Sequence, residues 1–225
     1  MAIPRELVIP LNELTIDATL PSNLQTKPRR NLQKIFVIPL REKSDLFEEL
    51  PHLWYDAYLK MTPRPTNVCR FTHGTFEYIF DDYGSLEAAG KAAYDRASES
   101  RLVAVLGRSN PIKRSRDDYR LRGWVGRTEE SFGKEWDKGH FIAHSLGGAV
   151  DGIEANVFVQ RRDLNRGWSA RGKLFREMEK YCAQHPGTFC FNHPLYRDHS
   201  ARPAFLEFGL LKNTKELWVE RFDNR

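Results

Sequence analysis

No stretch of about 18 apolar residues occurs in this chain of 225, which excludes a membrane-spanning helix. Cysteine is scarce: Cys69, Cys182 and Cys190 form no Cys-x2-Cys pair, so a structural zinc site of that kind is excluded. Three thiols cannot all pair within one chain, and a reduced compartment is the expectation. The opening Met1-Ala2-Ile3-Pro4-Arg5-Glu6 lacks the charged-then-apolar order of a secretory signal. The expected location is therefore the cytoplasm, or export by a dedicated secretion system without a signal peptide. Internal repeats and low-complexity tracts are absent as well. What is present is enough apolar material for a core, 40% hydrophobic and 12% aromatic, which excludes global disorder. Lys and Arg number 35 against 30 Asp and Glu, a formal net charge of +5 that favours polyanionic partners.

Up to about residue 45 the chain is punctuated by proline, and Ile35-Phe36-Val37-Ile38 before Pro39 is expected as an edge or terminal strand. Residues 44–61 carry Leu46, Phe47, Leu50, Leu53, Trp54, Ala57 and Tyr58 at helical spacing, with Pro51 expected to split or kink the helix. Phe71 to Phe80 alternates like a hairpin, Asp81-Asp82-Tyr83-Gly84 supplies a turn, and a helix is expected over Ser85–Ser100. The most basic stretch runs from Arg108 to Arg127, with Lys113, Arg114, Arg116, Arg120 and Arg122 set against Asp117 and Asp118, and Tyr119 and Trp124 interleaved. A linker fits best near 108–116, dividing an N-terminal region of unknown role (1–107) from a chemical domain (108–225). Short strands are expected around 189–191, 204–209 and 216–219.

Functional residue types concentrate from Trp136 onward. Asp137-Lys138-Gly139-His140 leads into an apolar segment, and Ser145-Leu146-Gly147-Gly148 makes a turn. Asn156-Val157-Phe158-Val159-Gln160 then precedes Arg161-Arg162-Asp163-Leu164-Asn165-Arg166-Gly167-Trp168. A helical stripe of Leu174, Phe175, Met178, Tyr181 and Cys182 follows, so the local order is strand, turn, loop, helix. Hydrolysis of a phosphodiester needs an activated water, a cation at the phosphoryl oxygens and a proton for the leaving oxygen. A histidine with a reference pKa near 6.5 suits the first task. An asparagine carbonyl suits a hard, largely hydrated cation such as Mg²⁺.

These residues resemble the DNA/RNA non-specific endonuclease family of the ββα-metal, or His-Me finger, type. Asp137-Lys138-Gly139-His140 matches three of the four positions of its Asp-Arg-Gly-His hallmark. Asn156, Gln160 and Asn165 keep its N-x3-Q-x4-N spacing, and Leu164-Asn165-Arg166-Gly167 keeps its Leu-Asn-x-Gly. The resemblance covers about forty residues, from Asp137 to Glu179. It implies an α+β fold: a ββα-metal finger embedded in a mixed sheet with helices, plus an N-terminal extension. It implies His140 as general base, with Asp137 and Lys138 in support, and one upstream arginine of the Arg108–Arg127 run, Arg127 or another, at the scissile phosphate. Asn165 would be the direct ligand of one Mg²⁺ or Mn²⁺, with Asn156 and Glu179 in the metal set and Gln160 holding the metal shell.

Two positions depart from the family. Lys138 keeps the charge of the usual arginine but not its planar fork. Lys173 stands eight residues after Asn165, where the family has a glutamate, so an insertion is expected, with Ser169 as an N-cap and the helix starting near Leu174. Glu179, with Glu177 as fallback, would then take the family role. Arg161, Arg162 and Arg166 are either a solvated face or a phosphate clamp. Trp124 and Trp168 can stack on bases, although core packing is the expectation for both. His144 is expected to have a hydrogen-bonding role; His73, His185, His193 and His199 match no metal spacing.

The function expected is a metal-dependent endonuclease of DNA, RNA or both with low sequence specificity, acting inside the cell or delivered as a toxin or effector with a cognate inhibitor protein. The alternatives are a nucleic-acid-binding module with an impaired nuclease centre, or an interaction domain of immunity type that keeps the fold only as a scaffold.

Overall fold

The computed structural model describes residues 35–37, 43–93, 95, 97–111, 133–148, 154–213 and 216–225. The expected linker beyond Pro111 and most of the basic stretch, including Arg127, lie outside them. In chain order the elements are β1 (Ile35–Val37), α1 (Lys43–Met61), β2 (Val68–His73), β3 (Phe76–Asp81), α2 (Tyr83–Ala88), β4 (Arg101–Arg108), β5 (Trp136–His140), β6 (Val157–Arg161), α3 (Arg162–Asn165), α4 (Ala170–Gln184), β7 (Phe189–Leu195), β8 (Phe205–Lys212) and β9 (Glu216–Asp223). Short 3₁₀ turns at His144–Leu146 and Glu154–Asn156 punctuate the β5–β6 connection.

The class is α+β, as expected. Among the described residues seven strands form one sheet in the order β1-β9-β8-β7-β4-β3-β2, every pairing antiparallel. β5 and β6 form a separate hairpin. The finger thus packs on the large sheet rather than continuing it. Strands from both sides of residue 107 share the large sheet, where β4 lies between β3 and β7, and the boundary expected at 107/108 falls within β4. β4 is apolar on both sides of its pleat, the pattern of a strand covered on both faces, and every residue from Arg101 to Gly107 is buried. On one face Leu50, Trp54 and Tyr58 of α1 join Val103, Leu106, Phe189 and Phe191. On the other, Phe141, Phe158, Leu164, Phe175 and Met178 join Leu102, Val105 and Phe208. The hairpin and α4 therefore sit on the face opposite α1.

Three local expectations are corrected. α1 runs unbroken through Pro51: burying Leu50, Trp54 and Tyr58 stabilises by roughly 1.5–3 kcal/mol per side chain, which outweighs a proline penalty of about 3 kcal/mol. α2 begins earlier and ends sooner than expected, because the Asp82 carboxylate accepts from Ser85 N and caps it at Tyr83, and the helix stops at Ala88. The helix placed near Leu174 starts at Ala170, because the Ser169 hydroxyl accepts from Gly172 N at 3.0 Å and caps it there.

Candidate active site at the hairpin and the following helices

β5 and β6 pair with Asp137 opposite Gln160, Gly139 opposite Phe158 and His140 opposite Val157. Successive strand residues point to opposite sides, so Asp137 and Gly139 share the buried side of the pleat and Lys138 lies on the other, while His140 at the strand's end is buried as well. Gly139 is required by close approach: a Cβ there would lie 2.2 Å from Gln160 Oε1 and 2.5 Å from Gln160 Cβ. The glycine of the sequence motif thus makes room for its glutamine.

Asp137 is the hub of the site. Arg166 Nε donates to its Oδ2 at 2.7 Å and Arg166 Nη2 to its Oδ1 at 3.0 Å. Arg162 Nε donates to Oδ1 at 2.9 Å, and Asn165 Nδ2 to Oδ2 at 3.2 Å. α3 is seated on β5 by two further bonds, from Arg162 N to Glu135 O at 2.8 Å and from Arg162 Nη2 to Trp136 O at 3.0 Å. Burial pushes the Asp137 carboxyl upward, but the donors from Arg166, Asn165 and Arg162, with the Arg166 charge, outweigh it and hold the group below its ordinary value. Asp137 is therefore an anion at neutral pH. A carboxylate only accepts, so its contact with Asn165 fixes which end of the amide faces it. The Asn165 carbonyl oxygen points away from Asp137.

Asn156 was expected in the metal set, and its geometry assigns it elsewhere. Its Oδ1 accepts from Ile142 N and its Nδ2 donates to Ile142 O, both at 2.9 Å, and the residue is fully buried. A carbonyl oxygen engaged by a backbone amide in the core is no seat for a hydrated cation. Asn156 instead straps the segment that follows His140. Phe141 N donates to Asn156 O at 3.0 Å, and Asn192 Nδ2 of β7 donates to Phe141 O at 3.0 Å. His140 itself is buried, three residues beyond Asp137, about 10 Å along the strand at 3.3 Å per residue.

The two glutamates separate clearly. Glu177 is exposed on the outer side of α4, whereas Glu179 is buried and accepts from Arg176 Nη1 at 2.6 Å. α3 and α4 are distinct helices, so Asn165 and Glu179 do not lie on one continuous rod. Gly172 packs against the Asp163 and Leu164 carbonyls of α3, and Glu179, seven residues later, lies on that same side of α4, roughly 10 Å farther along.

The arginines expected as a phosphate-facing surface are already engaged. Arg162 and Arg166 hold Asp137, and Arg161 reaches Glu135 and Asp163, both at 3.3 Å. Lys138 is half-buried, as is His144 in its 3₁₀ turn. His193 lies on the α1 side of the sheet, where its Nδ1 is 2.9 Å from Glu207 Oε2 and its ring stacks on Trp54.

Sequence reasoning missed two residues that position the site. Asn192 ties β7 to Phe141, and its signal was a polar residue inside an apolar strand, which needs a partner when buried. Asn224 accepts from Arg161 N at 2.8 Å and donates to Val159 O at 3.0 Å and Pro203 O at 2.9 Å, joining the end of β6 to the large sheet. Nothing in its sequence neighbourhood distinguishes it.

Among the described residues no three His, Cys, Asp or Glu side chains come together as a metal cage, and no helix is long and apolar enough to cross a membrane. No family model and no curated protein matches the chain. Two solved structures overlap it loosely. One, described as an extracellular endonuclease, is 11% identical with a TM-score of 0.35, the match covering 72% of this chain and 80% of that one. The other is a structure of Sda1 nuclease with a bound zinc ion, 14% identical with a TM-score of 0.34, covering 87% and 85%. Likenesses this slight transfer neither fold nor activity.

Proposed function

We propose that the chain is a metal-dependent endonuclease of the ββα-metal type that its motifs resemble, hydrolysing phosphodiester bonds with low sequence specificity. The observation that carries this reading is the contact between Asn165 and Asp137. A carboxylate clamped by two arginines accepts from the Asn165 amide nitrogen, which leaves the carbonyl oxygen turned away from Asp137, just after the hairpin that carries His140. One neutral oxygen donor, without a cage of charged ligands, suits a hard cation that keeps most of its waters. The residues therefore fit Mg²⁺ or Mn²⁺, with Asn165 as the protein ligand and Glu179 as the candidate for the surrounding shell. Such an ion, when bound, supplies neutralisation of charge on the phosphoryl oxygens.

The chain's own groups do the rest. His140 accepts a proton from the attacking water as general base. Gln160 and Gly139 set the hairpin's shape, and Asn156 and Asn192 hold the segment beyond His140. Arg162 and Arg166 together exceed the charge of Asp137, so their cluster carries one surplus positive charge toward a phosphate backbone. Arg127 remains the proposed contact to the scissile phosphate.

The test compares the wild type with His140→Ala on supercoiled plasmid and on RNA, with Mg²⁺, with Mn²⁺ and with EDTA. Cleavage should require the metal, and the variant should lose at least about 10²-fold in rate, the usual scale of general-base catalysis. Unchanged cutting by the variant would remove His140 from the role of base.

A further inference from the structure

Trp168 is 62% exposed, the most exposed of the large apolar side chains described, so the structure turns outward a ring expected in the core. It occupies the turn between α3 and α4, three residues after Asn165 and directly after Gly167, whose φ of 70° makes the bend. The indole is not adrift. Its backbone N–H donates to Asp163 O at 2.9 Å, and the Arg166 guanidinium lies 5.3 Å from the ring centroid. That same guanidinium is pinned on the Asp137 carboxylate. A chain of contacts thus runs from the carboxylate that orients Asn165, through Arg166, to the underside of an exposed aromatic plane.

We propose that Trp168 is a stacking platform for an unpaired nucleobase beside the scissile phosphate, which makes single-stranded or locally unpaired nucleic acid the preferred substrate class. The position of the phosphate rests on the nuclease reading above; the platform itself rests on the exposed indole and its arginine. Every base has a π-face, so stacking holds a strand without selecting a sequence. A base inside a duplex must leave its own stack to reach the indole, which disfavours intact double helix. Arg166 covers one side of the ring and adds positive charge where the strand's backbone would pass.

Binding is measured on the full chain in EDTA, by fluorescence anisotropy of a short labelled single strand, the same strand with abasic sugars throughout, and a duplex of equal length. Trp168→Ala should weaken single-strand binding roughly 5- to 150-fold, the range for one lost base–aromatic stack. Trp168→Phe should keep most of the affinity. Neither substitution should change binding of the abasic strand. Wild-type affinity of Trp168→Ala for the normal strand, or an equal loss on the abasic strand, overturns the proposal. Plasmid cleavage with Mg²⁺ is scored separately. Cleavage without Trp168-dependent binding sinks the platform alone, whereas Trp168-dependent binding without cleavage upholds the platform and sinks the nuclease reading.

Discussion

Replacing Asp137 by asparagine keeps the side chain's shape and removes the charge on which four hydrogen bonds converge. Breaking a fully buried ion pair costs roughly 3–5 kcal/mol. The Arg162 and Arg166 side chains are 30% and 48% exposed, so solvent screens both pairs and the loss must fall below that range. A loss of about 2 kcal/mol at pH 7 is expected, close to a 30-fold change in the folding constant. At an m-value of about 2 kcal/mol/M the urea midpoint then falls by about 1 M with m unchanged. The pH dependence follows from the sign of the shift. The carboxyl is held below its ordinary value, so the stabilisation is fully present above an unfolded pKa near 3.9 and is lost as pH falls through the lower folded value. Wild type and Asp137→Asn should therefore converge in stability in acid. With one acceptor oxygen left for four donors, the Asn165 amide is free to turn, and the Mg²⁺ concentration for half-maximal activity should rise by about tenfold. Equal urea midpoints at pH 7, or a gap that persists undiminished in acid, refute the assignment of Asp137 as the charged hub.

Gly139→Ala places a Cβ against the Gln160 side chain and should destabilise by about 1–3 kcal/mol, the usual cost of overpacking. Adding Gln160→Ala should restore much of that loss in thermal unfolding; a second substitution that is merely additive counts against the contact. Asn156→Ala strands both backbone groups of Ile142 and should cost about 2–4 kcal/mol while leaving the Mg²⁺ requirement of the folded fraction unchanged. Asn165→Ala should do the reverse, with little change in stability and a raised Mg²⁺ requirement. A shared metal phenotype for the two variants would return Asn156 to the metal.

Local chemistry was legible where one residue's neighbours decide its state. The edge strand before Pro39, the hairpin around Gly74, the cap at Ser169 and the strand-turn-helix order after Asp137 all follow from short-range rules, and the structure has each of them. β4 was not foreseen, although its sequence Arg101–Arg108 is a nearly unbroken apolar run. Such a run lacks the alternation that marks a half-buried strand, and its identity rests on having cover on both faces, which only the assembled sheet provides. The length of α1 escaped for a related reason: Pro51 argues locally for a break, and the core between α1 and the sheet overrules it.

At the site, spacing indicated which residues belong together but not what each one touches. Asn156 and Asn165 are the same residue type at equivalent points of one motif. The difference between them lies in burial: Asn156 sits beneath Ile142 with both ends of its amide engaged, while Asn165 donates a single bond from Nδ2 to Asp137. Arg162 and Arg166 read as a basic surface because sequence cannot show that a carboxylate about 25 positions earlier lies within hydrogen-bond reach. Once α3 is folded against β5, their fork geometry is satisfied from within the chain, and two guanidinium groups on one carboxylate leave one surplus positive charge. The same packing explains Trp168. Apolarity predicts burial, but Arg166 is drawn toward Asp137, Gly167 turns the chain outward, and the indole is left over the guanidinium with its remaining surface open to solvent. Exposure of that ring is thus a consequence of how Asp137 gathers its donors. On this logic Asp137→Asn should loosen the platform as well as the amide, and its single-strand affinity should fall in the same direction as that of Trp168→Ala. Undiminished binding by Asp137→Asn would show that the two are not linked through Arg166.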